Sequence, residues 1–225
     1  DYTLQASRIL SLLHLPALLL LVRRQHGEQA ESLLLQLVGQ GAATASSLLL
    51  LAGRHLKARA GEGGEAPTVY TLYKSFKLLV SLGIVLRSPS FCPSELKEDD
   101  PPGEPPVLAP APEPDFKALA AALAEEVPKE DSSVQKQPDC EAFWSLDLAT
   151  VQQLLRDDII VAAASRRLDE SAGAIVASLL GLVAAGSKGW APVSCHLGHH
   201  AIAEKVAQEQ GKDSQAVKFL DQYLR

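Results

Sequence analysis

Apolar side chains recur at three- and four-residue steps through most of the first 90 residues, which predicts a succession of amphipathic helices. The predicted helices lie at 3–14, 16–25, 28–40 and 48–59. Pro16 suits the first turn of a helix, whereas Gly27 and Gly41 are expected where helices end. Thr44 or Ser46 is suited to cap the fourth helix through its hydroxyl group.

The stretch 69–88, VYTLYKSFKLLVSLGIVLRS, predicts one more helix followed by a short strand. Gly83 follows the helix at a position that favours a left-handed residue, and the apolar run 84–86 ends before Pro89. This order is typical of the third helix of a winged helix entering its wing, and also of helix–strand turns that never touch DNA. The residues expected to pack this helix are Val69, Leu72, Phe76, Leu79 and Val80.

The composition changes sharply between residues 91 and 140, where prolines and acidic residues replace the apolar pattern. Such a segment cannot bury a core, so we expect a disordered or extended linker. Residues 116–127 have helical spacing, and they predict either a transient helix within the linker or a docking motif. The predicted organisation is therefore a domain at 1–90, a linker at 91–140 and a domain at 141–225.

The second domain also reads as a succession of amphipathic helices, separated near Asp169, Gly186 and Gly211. Ser194 is expected to cap the helix that contains LGHHAIAEKVAQEQ. The expected fold class is mainly α with short β-wings, as tandem extended winged helices, the second one ending before its wing. The residues expected to pack the second domain are Ile159, Ile160, Ile175, Val176 and Leu179.

The formal net charge of −6 is unevenly distributed along the chain. Nine basic against five acidic residues give +4 for 1–90, whereas four against twelve give −8 for 91–140. The first domain is thus mildly basic, but well below the pI above about 9 of a dedicated nucleic-acid domain. The absence of Met predicts a fragment of a longer chain, and the three separated cysteines indicate a reducing compartment. The apolar run 9–22 is too short for a transmembrane helix.

Sites for catalysis, metals and phosphate-binding loops find little support in the sequence. Asp157 and Asp158 are helix neighbours that point in different directions, so they do not form a carboxylate pair. Only His196 and His200 of the histidine-rich stretch 195–200 would share a helix face, and no second cluster completes a zinc site. The glycines at 61–64 do not suit a phosphate-binding loop, because Glu62 and Glu65 would repel a phosphate. We therefore expect a non-enzyme without metal, cofactor or small-molecule substrate.

Basic residues of the first domain are the candidate functional residues. Lys74 and Lys77 lie three residues apart on the side of their helix opposite the apolar stripe, with Tyr73 nearby. A surface that neutralises phosphates would use lysines in this way, and an ordinary solvated face would look the same. The candidate nucleic-acid-binding residues are Arg54, Lys57, Arg59, Lys74, Lys77 and Arg87.

Two parts of the chain resemble the winged-helix subunit of RNA polymerase III, the largest member of that enzyme's heterotrimeric subcomplex. The stretch 143–180 resembles the start of the family's third extended winged helix. In the first domain, ASRILSLLHLP, GAATASSLLLLAGRHL and LVSLGIVLRSPSFCPSEL follow the order of its second winged helix, and FLDQYLR at the end fits as well. The residues carrying the match at 143–180 are Trp144, Leu146, Arg156, Asp157, Ile160, Val161, Arg167, Asp169, Ile175, Val176, Leu179 and Leu180.

The resemblance implies a middle fragment of a nuclear, non-catalytic subunit that acts in transcription initiation. The implied partners are the other subunits of the heterotrimer, the polymerase clamp, initiation factors and promoter DNA, with no membrane. The acidic segment 91–140 lies outside the resemblance. Two alternatives remain open, namely a freestanding winged-helix DNA-binding regulator and a winged-helix interaction scaffold outside transcription, such as a cullin-like or membrane-trafficking subunit.

Overall fold

Helices make up most of the part of the chain that the structure describes, and a small antiparallel sheet accompanies them there. The computed structural model describes residues 10, 12–60, 67–88, 110–124, 137–186, 196–211 and 214–224. The chain divides into two compact units, Asp1–Leu148 and Ala149–Arg225, which are described separately below.

The helices and strands of the first unit alternate in a fixed order. They are α1 (Leu15–His26), α2 (Glu28–Gln40), β1 (Ala42–Thr44), α3 (Ala45–Ala60), α4 (Val69–Ser81), β2 (Val85–Arg87), α5 (Phe116–Ala124) and β3 (Phe143–Leu146). The second unit is formed by α6 (Leu148–Arg167, whose first residue closes the first unit), α7 (Glu170–Gly186), α8 (His199–Gln210), α9 (Gln215–Lys218) and α10 (Leu220–Tyr223).

The helix ends of the first unit follow the local signals of the sequence. A proline occupies the first turn of α1, and Gly27 and Gly41 end α1 and α2 with φ values of 88° and 75°. The Thr44 side chain accepts a hydrogen bond from the Ser47 amide at 3.2 Å, so Thr44 caps α3. These predictions are confirmed, although the sequence did not predict the strand β1.

Strand β3 lies in the middle of the sheet, between β1 and β2, and pairs antiparallel with both. Trp144 of β3 faces Ala43 of β1 and Arg87 of β2 in register. The ladder continues past β2, because the Ser88 amide donates to the Phe143 carbonyl at 2.9 Å. The two strands β2 and β3 therefore form a hairpin whose connection is the long segment between residues 88 and 143.

This hairpin corrects the predicted domain boundaries. The chain returns to the sheet of the first unit at Phe143, so β3 belongs with residues 1–90 and not with the second domain. The described parts of the predicted linker, 110–124 and 137–140, also belong to the first unit. The apolar side chains of α5 explain the difference, because Leu119 is only 2% exposed and α5 packs on α3 and α4.

The core of the first unit is built from apolar residues of α1–α4 and from the sheet. Val69, Leu72, Phe76 and Leu79 of α4 are buried as predicted, while Val80 is half-buried. Other fully buried residues of this core are Leu18, Val22, Leu33, Leu34, Leu37, Leu48, Leu49 and Ile84. The alternation of apolar positions along the helices thus located most of this core correctly.

The second unit has its own core, formed where α7, α8, α9 and α10 meet. Its buried residues are Ile175, Ile202, Val206, Ala216 and Leu220, with Leu179 partly buried against them. The burial predicted for Ile175 is confirmed, and Val176 is half-buried.

Ile159 and Ile160 were predicted to be buried, and this prediction is wrong. The two side chains are 67% and 40% exposed. The buried residue of α6 is Val151, and a residue nine positions later lies roughly 180° away on a helix. The side of α6 that carries Ile160 therefore faces away from the side that carries Val151.

Candidate functional site

Helix α4 presents a defined outer side because both of its ends are fixed. Thr68 caps its start, where the hydroxyl oxygen accepts a hydrogen bond from the Thr71 amide at 3.3 Å. Gly83, with φ of 72°, turns the chain into β2 directly after the helix. With the apolar stripe buried, Tyr70, Lys74 and Lys77 face outward.

Lys77 does not face solvent alone, because a residue within the long hairpin connection, Glu113, reaches it. Its Nζ atom lies 3.1 Å from Oε1 of Glu113 and 5.0 Å from the centre of the Tyr73 ring. The hydrogen bond to Glu113, together with contacts to Tyr73, raises the pKa of the Lys77 ammonium above its ordinary value. Lys77 is therefore firmly cationic, but its charge is already matched by a carboxylate.

Lys74 differs from Lys77 although the two lie on the same helix. Its side chain is exposed, and no ion pair or hydrogen bond joins it to another residue in the described part of the chain. Lys74 thus remains able to meet an external anion, whereas an anion at Lys77 has to displace Glu113. The structure brings Lys77 together with Tyr73 and leaves Lys74 open.

The candidate cations of α3 have different surroundings. Arg59 pairs with Glu28 of α2, with 3.1 Å between Nη2 and Oε1. Lys57 is exposed and Arg54 is half-buried. An exposed pair such as Arg59 with Glu28 contributes no more than about 1 kcal/mol, so Arg59 can exchange its partner easily.

Arg87 lies in the sheet rather than on a helix. It faces Trp144 across the β2–β3 ladder, is half-buried, and has an Nε atom shielded from solvent. Because its side chain is half-buried, Arg87 is a less accessible phosphate contact than Lys74.

The sequence missed a groove that lies beside Lys77. It has a volume of about 320 Å³ between α4, β3 and residues 111–114. Its walls are mostly aromatic and aliphatic, and the Phe76 and Trp144 rings meet edge to face with centroids 5.3 Å apart. The sequence contained both an acidic, proline-containing stretch and a helix that carries lysines and tyrosines. The sequence alone did not show that these two segments are in contact.

The second unit contains polar pairs that fix its helices. The Tyr223 hydroxyl donates to Asp169, which lowers the pKa of the carboxyl group and raises that of the phenol. Glu209 accepts hydrogen bonds from Lys205 at 2.8 Å and from the Ser178 hydroxyl at 2.6 Å, and these lower the pKa of Glu209. Both arrangements join α7 or its start to the helices that pack on it.

His196 and His200 were predicted to share a helix face, and this prediction is wrong. Helix α8 begins at His199 after Gly198, so His196 precedes the helix and does not share a face with His200. Ser194, the expected cap, lies outside the described residues, as do the glycines at 61–64. His199 instead pairs with Asp221 of α10 at 2.7 Å. Considering the described residues only, no three metal-ligating side chains come together.

Comparison with known proteins does not assign the chain to a family. No protein-family model matches the chain, and no curated protein matches it in sequence. Among the helices that the structure describes, none has the length and apolarity required to cross a bilayer.

Proposed function

We propose that the first unit is a winged helix and that the chain is a non-catalytic subunit of DNA-directed RNA polymerase III. The supporting observation is the element order α2–β1–α3–α4–β2–β3 with the sheet order β1–β3–β2. In a winged helix, a helix-turn-helix is followed by a β-hairpin, and the second strand of that hairpin pairs with the short strand that precedes the helix-turn-helix's second helix. Together with the resemblance of the sequence, this favours the polymerase subunit.

In this proposal the wing is the connection between β2 and β3. A usual wing is a short loop, whereas this one holds α5 and most of the acidic segment. The second unit would be a further winged helix whose helical part is α6–α8. Its burial of Ile175 and Val206 between α7 and α8 supports a helical core of that kind.

In this proposal, α4 takes the position of the helix that approaches DNA in winged helices. It carries Tyr70, Lys74 and Lys77, and the helix contains no Arg, Asn or Gln suited to base edges. We therefore propose phosphate contacts and protein docking rather than base readout. The nucleus is the proposed location, and the heterotrimer, the clamp, initiation factors and promoter DNA are the proposed partners.

The deciding experiment is purification of the tagged protein from nuclear extract, with the co-purifying proteins identified and quantified by mass spectrometry. We expect polymerase III subunits in near-equal amounts. A matched purification of the Phe76→Ala variant, which should lose the first core, is expected to lower their recovery. Recovery of no polymerase subunit with the unaltered protein would overturn the proposal.

A second candidate, an interaction scaffold outside transcription, is favoured by the Glu113 carboxylate on Lys77, which reduces the positive charge available to DNA. A freestanding DNA-binding regulator predicts instead steep salt dependence of duplex binding, lost in a Lys74→Glu, Lys77→Glu variant. Quantitative recovery of an assembly without polymerase subunits would favour the scaffold, and a steep salt slope without partners would favour the regulator.

A further inference from the structure

The residues 110–115, PAPEPD, lie beside α4 next to Tyr73 and Lys77, and they are named here the acidic strap. Pro114 of the strap is buried, and the Glu113 carboxylate contacts both Lys77 at 3.1 Å and the Tyr73 hydroxyl at 3.5 Å. Ala111, Pro112, Glu113 and Pro114 form one wall of the groove beside α4. The strap is thus a seated part of the first unit.

Apolar contacts at its C-terminal end hold the strap in place. The ring of Phe116 meets that of Tyr73 edge to face, with centroids 4.9 Å apart. Three residues on, Leu119 is buried, and Leu123 lies so close to Gly53 of α3 that a Cβ atom there would come within 2.7 Å of Leu123 Cδ2. Helix α5 therefore anchors the strap through packing.

A hydrogen bond adds a second anchor. The Asp115 amide donates to Oε1 of Gln137 at 3.0 Å, and Gln137 is only 5% exposed. The ion pair between Lys77 and Glu113 is itself exposed, and water and salt screen it. The contact at Lys77 is consequently a weak, exchangeable one that the anchored chain holds at high local concentration.

We propose that the acidic strap is a built-in competitor that occupies Lys77 and that nucleic-acid phosphate must displace it to reach this side of α4. The proposal rests on the proposed function, in which α4 faces DNA. A carboxylate tethered next to its partner acts at an effective concentration in the millimolar range. It lowers the apparent affinity of every anion for Lys77 by the same factor, and a polyanion that also binds elsewhere on the surface displaces it.

The consequence is an unequal pair of lysines on one helix. Lys74 contributes to phosphate binding at all times, whereas Lys77 contributes only when the strap has left. Removal of the Glu113 charge should therefore add about one phosphate contact. The slope of log affinity against log salt should steepen by roughly 0.9, with a gain of roughly 3- to 10-fold in affinity at low salt.

The test uses the full chain and a fluorescein-labelled duplex, with binding followed by anisotropy across a KCl series. The variants are Glu113→Gln, Lys77→Gln and their combination, and Glu141→Gln serves as the control for loss of one exposed negative charge. We expect Glu113→Gln to tighten binding and steepen the slope, and to do neither in the Lys77→Gln background. A gain no larger than that of Glu141→Gln, or one that persists without Lys77, overturns the proposal.

A second measurement tests the strap without DNA. An amine-reactive reagent at limiting concentration should label Lys77 more slowly than Lys74, because the hydrogen bond to Glu113 raises the pKa of Lys77 and holds the proton on its ammonium group. Glu113→Gln should raise the labelling of Lys77 relative to Lys74, as quantified by peptide mass spectrometry. An unchanged ratio shows that Glu113 does not hold the Lys77 ammonium group and overturns the proposal.

Failure of the strap and failure of the proposed function give different results. If Lys74→Gln weakens duplex binding while Glu113→Gln has no effect, α4 meets DNA and only the strap proposal is refuted. If neither substitution changes duplex affinity, α4 does not meet DNA, and the competitor role falls together with the DNA-facing role. Faster labelling of Lys77 without a change in duplex affinity likewise refutes competition with phosphate.

Discussion

Asp139, near the end of the long hairpin connection, caps helix α3, which lies far away in sequence. Its carboxylate accepts a hydrogen bond from the Ser46 amide at 2.8 Å and another from the Ser46 hydroxyl, although the two residues are 93 positions apart. Asp139 is 1% exposed and Ser46 is fully buried. Since α3 begins at Ala45, the Ser46 amide is one of the donors that the helix cannot satisfy internally.

Replacement of Asp139 by Ala removes both acceptors and leaves buried donors without partners. A hydrogen bond to a charged group contributes about 1.5–3 kcal/mol, and a lost helix cap costs about 0.5–2 kcal/mol. The two effects overlap, so we expect Asp139→Ala to lower the free energy of unfolding of the first unit by about 2–4 kcal/mol. Asp139→Asn retains one acceptor oxygen and should cost less, about 1–2 kcal/mol.

The assay is equilibrium unfolding in urea, followed by tryptophan fluorescence in a Trp190→Phe background. The chain has two tryptophans, so Trp144 of the central strand then reports on the first unit alone. The matched control is Glu141→Ala, which removes an exposed acid two positions away and should change stability by less than about 0.5 kcal/mol. If Asp139→Ala costs no more than this control, the cap does not stabilise the fold and the reasoning is refuted.

Phe76→Ala should destabilise the first unit by about 3–5 kcal/mol in thermal unfolding, because Phe76 is only 3% exposed. Tyr70→Ala, on the outer side of α4, should cost less than about 0.5 kcal/mol. Equal losses of stability would contradict the assigned faces of α4. The pKa of Glu209 is lowered by Lys205 and Ser178, so its contribution is present above the unfolded-state pKa and is lost as the pH falls through the folded-state pKa. The free energy of unfolding of the second unit should therefore decline on acidification below about pH 4.3. Urea unfolding at several pH values should show a smaller decline for Ser178→Ala. An unchanged pH profile in this variant would show that the hydrogen bond from Ser178 does not stabilise the charged form of Glu209.

Features set by neighbouring residues could be predicted from the sequence. The glycines at helix ends and the apolar stripe of α4 depend on local conformational preference and on the helical period. These predictions hold in the structure because a helix needs only one buried apolar stripe to pack against its neighbours. The same reasoning placed Lys74 and Lys77 on the outer side of α4.

Strand β3 could not be predicted because its stability comes from pairing with distant residues. FWSL is short, lacks a clear alternation, and follows the acidic segment without a hairpin turn next to β2. Its partners at 42–44 and 85–87 lie far earlier in the chain. The contact of Glu113 with Lys77 depends on this return, so the sequence showed only that an acidic segment and a basic helix were both present.

Periodicity also fails where two sides of a helix are apolar. α6 carries apolar residues on more than one side, and its pattern does not state which side another element covers. Ile159 and Ile160 were assigned to the core on periodicity, whereas Val151 is the residue that is buried. Burial depends on the neighbouring element, which the sequence of one helix does not contain.

The position of the acidic segment inside a hairpin has a physical consequence that a linker between domains would not have. Closing a loop of roughly 55 residues instead of a four-residue turn costs only about 2 kcal/mol, because each doubling of length adds about 0.6 kcal/mol. Burial of Leu119 and the cap from Asp139 are each of that size, so the enlarged connection is affordable in energy. Both ends of the connection enter the same sheet, and Glu113 within it contacts Lys77 of α4. The acidic strap is therefore supplied by the same unit as the helix it contacts, and not by a partner.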